Sequence, residues 1–203
     1  MTETIETEIK QQYAKHFIKN DWSLFKSTAE YYLETASKIL KKDIKYGSES
    51  LKLLHRNIQK RLYIGIACEL LLKAFYLKNG YCINRIKNKK KPNGTFPFKL
   101  NTIDISDFNK NDTITLHMLI EGAHKVCDLG ENIEIIIKGL KIAKTFRNKE
   151  GHVVVLWHNY EPQNYRDIEQ CLTAFYKIAF SQKLNIQFSV GNDESAVFNI
   201  QNG

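Results

Sequence analysis

Leu62-Tyr63-Ile64-Gly65-Ile66-Ala67-Cys68-Glu69-Leu70-Leu71-Leu72-Lys73-Ala74-Phe75-Tyr76-Leu77 is the most apolar stretch of the chain, and its reading decides the fold. Glu69 and Lys73 interrupt it, so it is too short and too charged to span a bilayer. Extended backwards, Leu51, Leu54, Ile58, Leu62, Ile66, Leu70 and Leu77 recur at helical spacing. Ser48 is placed to cap that helix and Gly80 to end it. The second half is apolar nearly all round, which predicts a long, central, buried helix.

The flanks carry the same period. Asp21 can cap a helix through Trp22, Phe25, Ala29, Leu33, Ala36 and Leu40, closing near Gly47. Residues 81–112, with Pro92, Gly94 and Pro97, read as a long loop. Further helices fit Thr115 to Leu129, stopped by Gly130; about Glu131 to Arg147, with Ile133, Ile136, Ile137, Leu140 and Ala143 on one face; and about Tyr165 to Phe180, after Pro162. Val153 to Trp157 is ambiguous: its three valines favour a strand, but with no strand nearby to pair with, a helical or irregular path is expected. In the tail the period becomes two. Leu184, Ile186, Phe188 and Val190 alternate, as do Ala196, Phe198 and Ile200, around a Gly-Asn-Asp-Glu-Ser turn. A hairpin so small has to pack on the helices or on a partner chain. The expected fold is therefore all-α: a helical bundle with a long central helix, plus a short C-terminal β-hairpin. One helical domain is expected over residues 1–182, with its core at about 22–182, followed by a hairpin or tail at 183–203.

Composition bounds the function. At 203 residues the chain can bury a core without metals or disulfides. Lys and Arg number 30 against 22 Asp and Glu, a net charge of +8 that favours polyanionic partners. Cys68, Cys82, Cys127 and Cys171 form no CxxC motif, and Cys68 and Cys171 read as small core residues. Met1 to Lys10 is acidic and polar, so no signal peptide is expected, and a reducing cytoplasm is. Only Arg56, Arg61, Arg85, Arg147 and Arg166 are arginines, in a chain whose default cation is Lys, so each is informative.

There is no phosphate-binding glycine loop, HExxH or GxSxG, and no His spacing that suggests a metal. The segment that could carry chemistry is Thr145-Phe146-Arg147-Asn148-Lys149-Glu150-Gly151-His152. An arginine can grip a phosphate as a fork, and a histidine can move a proton near neutral pH. On a regular helix the two lie about 140° apart, so they converge best if the helix ends or bends after Arg147, as Gly151 permits. Arg56-Asn57 begins the same way but has no His at the right distance. Glu69, a carboxylate in an apolar helix, needs a partner. Lys73, one turn on, and Arg147 both qualify, and the spacing allows both at once. Arg85, Lys87, Lys89, Lys90, Lys91 and Lys99 lie in a stretch free of acid, near Tyr81, Phe96 and Phe98. They suit either a groove that tracks an RNA backbone or a solvated basic loop. Lys52, Arg56 and Lys60 extend that positive region or form a wet helix face.

Arg147-Asn148-Lys149-Glu150-Gly151-His152 resembles the motif of the HEPN family, an Arg with a polar residue after it and a His four to six residues further on. Ala67-Cys68-Glu69-Leu70-Leu71-Leu72-Lys73-Ala74 is similar to a stretch on that family's long helix, and Leu116-His117-Met118-Leu119 to the opening of a middle helix. The resemblance covers roughly residues 22–182. It implies a homodimeric helical bundle in which two motifs meet across the interface. It implies a metal-independent, cofactor-free endoribonuclease of toxin–antitoxin, abortive-infection or phage-defence systems, with RNA as substrate and a cognate antitoxin as partner. The RNA 2′-hydroxyl would attack, leaving a 2′,3′-cyclic phosphate. His152 would transfer protons, Arg147 would bind the scissile phosphate, Asn148 would assist, and Glu69 and Lys73 would support them. Val154 stands where one subfamily has a Tyr that its antitoxin modifies, so that control is not expected. The other expectation is a non-catalytic module that binds RNA, a nucleotide or a protein partner.

Overall fold

The computed structural model describes residues 21–39, 49–86, 96–102, 107–152, 162–188 and 197–202, with side chains described in these except at 49–54, 108–112 and 150–152. The elements in chain order are α1 (Trp22–Lys38), α2 (Glu49–Lys78), β1 (Asn84–Ile86), β2 (Phe108–Thr113), α3 (Leu116–Val126), α4 (Ile133–His152), α5 (Pro162–Phe180), β3 (Gln182–Gln187) and β4 (Val197–Asn202). Among the described residues the regular structure is helical apart from two small antiparallel pairs, β1–β2 and β3–β4. It divides into two compact units, Met1–Lys26 with Leu71–Asp128, and Ser27–Leu70 with Leu129–Gly203.

The unit that holds the Arg147 motif is built from four helices and the tail hairpin. Ala29, Leu33 and Ala36 of α1, Ile64, Ala67 and Cys68 of α2, Ile136, Leu140, Ala143 and Phe146 of α4, and Ile168, Cys171, Leu172 and Phe175 of α5 are all buried. Their spacings of three and four residues put one apolar stripe on each helix. Ile133, expected on the same stripe of α4, is exposed. It stands in the first turn, next to the 3-10 turn Gly130–Asn132. Pro162 opens α5, where a missing N–H costs nothing.

Contacts fix the helix directions within this unit. Phe146 meets Tyr165 with ring centroids 5.4 Å apart, whereas Ile136 O accepts from Cys171 Sγ at 3.3 Å. Rising numbers on α4 therefore meet falling numbers on α5, an antiparallel pair. On α2, Lys60 lies over Tyr165, while Cys68 is near Cys171 and Tyr176. So α2 runs with α5 and against α4.

The tail hairpin folds back on its own chain. The two alternating segments pair as a hairpin, Leu184 with Ile200 and Ile186 with Phe198. Leu184, Ile186 and Phe188 are buried. Glu169 accepts the Phe188 N–H at 2.6 Å, and Thr173 donates to Leu184 O at 3.3 Å, which tie the hairpin to α5.

In the other unit, the last turns of α2 meet α3 and the β1–β2 pair. Tyr76 is buried and donates to Leu119 O at 2.9 Å. Thr115 caps α3. The expected loop over 81–112 is corrected here: β1 pairs with β2, Asn84 with Thr113 and Ile86 with Phe108, and Tyr81 bridges Lys99. The strands escape a pattern search because Phe-Asn-Lys-Asn-Asp-Thr does not alternate. Pairing to the backbone beside buried Cys82, Ile83 and Asn84 makes it a strand. The Gly47 and Ser48 helix boundaries, Val153 to Trp157, Val190 and Ala196 lie outside the described residues.

Gly80 ends α2 as expected. Tyr81 N–H bonds Tyr76 O at 2.8 Å and Gly80 N–H bonds Leu77 O at 2.9 Å, with Gly80 at φ +76°. This is a Schellman stop, which wants a residue without Cβ. Gly80→Ala is expected to destabilise the protein by about 1 kcal/mol, and Gly80→Asn by less, measured by urea unfolding. Equal stability of Gly80→Ala and wild type would contradict this account.

Candidate functional site

Gly65 decides how close α2 comes to α4. A Cβ placed on it would lie 2.6 Å from Arg147 Cβ and 2.8 Å from both Ala143 O and Arg147 N. Only a residue without a side chain lets α4 lie so close against α2 at this point. One turn further along the same stripe stands Glu69, and Arg147 Nε meets Glu69 Oε2 at 2.7 Å. The Glu69 side chain is 12% exposed and that of Arg147 is 39% exposed. The carboxylate is thus the buried partner and the guanidinium reaches outward. Arg147 Nη1 also donates to Asn148 Oδ1 at 3.3 Å. Among the described residues Nη2 has no protein partner, so one edge of the fork remains for a ligand.

Of the two partners the spacing allows Glu69, the ion pair with Arg147 is present. Lys73 is buried one turn on, on the same helix. The expectation that α4 ends or bends after Arg147 is corrected: the helix runs on to His152. Its residues keep intrahelical bonding available, and Gly151 does not stop it. Along this continuous helix the backbone positions of Arg147 and His152 are about 140° apart, and the His152 side chain is outside the described residues. Arg85 is exposed on β1. Lys87, Lys89, Lys90 and Lys91 lie outside the described residues. Phe96 is not a free stacking platform: its ring stacks on Tyr76 and fills the space over Gly122.

Lys60 is a second correction. Neither a wet face nor an exposed cation, it is 3% exposed, and its Nζ lies 5.9 Å from the centroid of the Tyr165 ring. Arg61 beside it is 5% exposed. Loss of hydration brings the Lys60 pKa down to about 8, against a partial upward pull from Glu169. Gly65 was missed as a site residue. A lone glycine inside an apolar helix costs about 1 kcal/mol there and so signals a close packing contact.

Asp167 supports the other side of α4. It accepts from Lys138 at 2.8 Å and from Gln163 at 2.9 Å. Burial works against its charge, but the hydrogen bonds of Lys138 and Gln163 and the charges of Lys138 and Arg166 outweigh that and hold it below the usual carboxylate range. Gly139 makes a second close approach: a Cβ there would come within 2.2 Å of Cys171 Cβ. As expected, Cys68 and Cys171 are buried in the core. Burial pushes the Cys68 thiol up to about 12, and burial with the nearby Cys68 raises Cys171 well above its ordinary value. Both are poor nucleophiles.

Among the described residues no group of three His, Cys, Asp or Glu gathers where it would hold a metal ion, and no helix is long and apolar enough to cross a membrane. No family model, no curated protein and no solved structure matches the chain.

Two outcomes are expected. In a double-mutant cycle, Glu69→Gln and Arg147→Met show a coupling of about 1–2 kcal/mol in urea unfolding, and Gly65→Ala loses about 1–2 kcal/mol despite its better helix propensity. Additive effects, or a more stable Gly65→Ala, would contradict the geometry. For Lys60 the folded value near 8 is below the ordinary 10.5, so between these values the unfolded chain binds more protons and stability rises with pH. Wild type is expected to gain up to about 3 kcal/mol across that window relative to Lys60→Met. Parallel stability–pH curves for the two proteins would rule this out.

Proposed function

We propose that this chain is a metal-independent endoribonuclease of the HEPN type that works as a homodimer. The observation that carries the reading is the Arg147 guanidinium, anchored through Nε by a nearly buried carboxylate, braced by Asn148 and still 39% exposed. An arginine held in this way is ready to take a phosphate oxygen on its remaining edge. The net charge of +8 suits a polyanionic substrate.

In this reading an imidazole takes the proton from an RNA 2′-hydroxyl as its oxygen attacks the adjacent phosphorus. A second proton donor then protonates the departing 5′-oxygen, leaving a 2′,3′-cyclic phosphate. Arg147 stabilises the charge that builds on the phosphoryl oxygens. One motif has a single His, His152, so the second proton-transfer group comes from the partner's motif. Two copies meeting near the C-terminal end of α4 bring an Arg from one chain and a His from the other to one phosphate, which a continuous helix does not do by itself. A cytoplasmic toxin of a phage-defence or toxin–antitoxin pair, restrained by a cognate antitoxin, is the setting that fits such an activity.

The continuity of α4 through His152 favours a second reading, a module that binds RNA or a nucleotide without cutting it. One assay separates the two. Purified protein is incubated in EDTA with labelled tRNA and structured mRNA, beside His152→Ala and Arg147→Met. The nuclease reading expects 2′,3′-cyclic phosphate ends, and a loss of rate of about 100-fold or more in each variant. Cleavage by His152→Ala as fast as by wild type sinks it, and retention of RNA without cleavage by any of the proteins establishes the binder.

A further inference from the structure

Lys138, Lys141, Lys144 and Arg147 follow one another on α4 in steps of three. Each step rises about 4.5 Å and turns back by about 60°, so the four form a slanted row that ends at Arg147. Their surroundings differ. Lys138 is held by Asp167 at 2.8 Å and Arg147 by Glu69 at 2.7 Å. Lys141 is exposed and Lys144 half-buried, and among the described residues neither meets a carboxylate. Elsewhere a surface helix supplies the counter-charge one turn away, as Glu34 does for Lys38 on α1. On α4 the residues four positions either side of Lys141 are Ile137 and Thr145, and those either side of Lys144 are Leu140 and Asn148. The neighbours three positions away are cations, which repel. The middle of the row therefore takes its counter-charge from outside the helix. The next step of three would be Glu150, whose side chain lies outside the described residues, so the row is followed only as far as Arg147.

Around the helix from Arg147, the positions of Lys144, Asn148 and Lys141 lie at about 60°, 100° and 120°, in the same sense as His152 at about 140°. The sector that separates the two motif positions is thus lined by two lysines and an amide. We propose that Lys144 and Lys141 hold the RNA backbone beside the phosphate at Arg147, each taking one further phosphate, so that the strand crosses α4 from Arg147 towards the N-terminal end of the helix. The residue types divide the work. The arginine fork fixes the geometry of one phosphate, while an ammonium on a flexible stem acts as a point charge and holds the neighbouring ones. Such contacts set the path and register of a strand without reading its bases. The inference rests on the reading of Arg147 as a phosphate-binding residue, but does not need turnover.

The test uses a fluorescent single-stranded RNA with 2′-O-methyl groups throughout, which cannot be cleaved, and reads binding by anisotropy over a series of salt concentrations. Lys141→Gln and Lys144→Gln are each expected to reduce the slope of log affinity against log salt by about 0.7, the loss of one phosphate contact, and to bind several-fold more weakly at low salt. Lys141→Arg keeps both the slope and the affinity. Lys177→Gln, which removes an exposed lysine of α5, leaves the slope unchanged. Thermal melts show that each variant is folded, and either lysine decides the matter if the other variant is not. Wild-type slopes in folded Lys141→Gln and Lys144→Gln overturn the proposal, and where wild type also cuts RNA they do so without touching the nuclease reading. An equal loss in Lys177→Gln overturns it as well, as general charge then explains the binding. A wild type that takes up polyglutamate but not the RNA overturns it in favour of an acidic protein partner. Reduced slopes in both variants of a protein that cuts no RNA uphold this inference while refuting the nuclease reading.

Discussion

A carboxylate on the most apolar helix of a protein must find a cation or destabilise the fold. Glu69 finds Arg147, 78 positions further along the chain, and much else in this unit follows from that meeting. For a guanidinium on α4 to reach a carboxylate on α2, the two backbones have to approach closely. Gly65 removes the Cβ that would prevent it. The pair then fixes the rotation of α4. The other side of that helix turns towards α5, where Gly139 lies against Cys171 and Lys138 meets Asp167. The apolar core supplies most of the stability, but it is tolerant of small rotations. A glycine contact and an ion pair are not.

The same arrangement separates the roles of neighbouring charges. Glu69 is nearly buried and acts on protein. Arg147 is the partner that reaches out and can act on a ligand. Lys60 and Arg61 are inside, held by contacts within the chain. A total of +8 says nothing of this division. Position relative to the low-dielectric interior decides which charges attract a partner diffusely and which act at one point.

The parts of the fold legible in the sequence are those written in its period. The four long helices, the stop at Gly80 and the two strands of the tail hairpin follow from apolar spacing and one glycine, because burial selects those positions directly. The β1–β2 pair was not legible, since its second strand has no alternation and owes its state to backbone pairing. Of the site, the Arg147–Asn148 start and the need of Glu69 for a partner could be read, and two partners fitted equally well on spacing. Only the geometry of α2 against α4 shows that Arg147 is within reach. The continuation of α4 past Gly151 went against expectation, because a glycine inside a helix is merely costly, not forbidden. Lys60 was misread because helical spacing tells which residues share a face but not whether another helix covers that face.

Two notches hold α4, one cut by Gly65 on its α2 side and one by its own Gly139 on its α5 side. A slide of one residue is about 1.5 Å along the axis with a turn of about 100°, and would drive a side chain into the notch at α5 and backbone out of the one at α2. The rod is in effect keyed at two points. Gradual adjustment of the Arg147 end by shear of this helix is closed off mechanically. A regulator of that end has to act as a cover over it, not as a lever upon it.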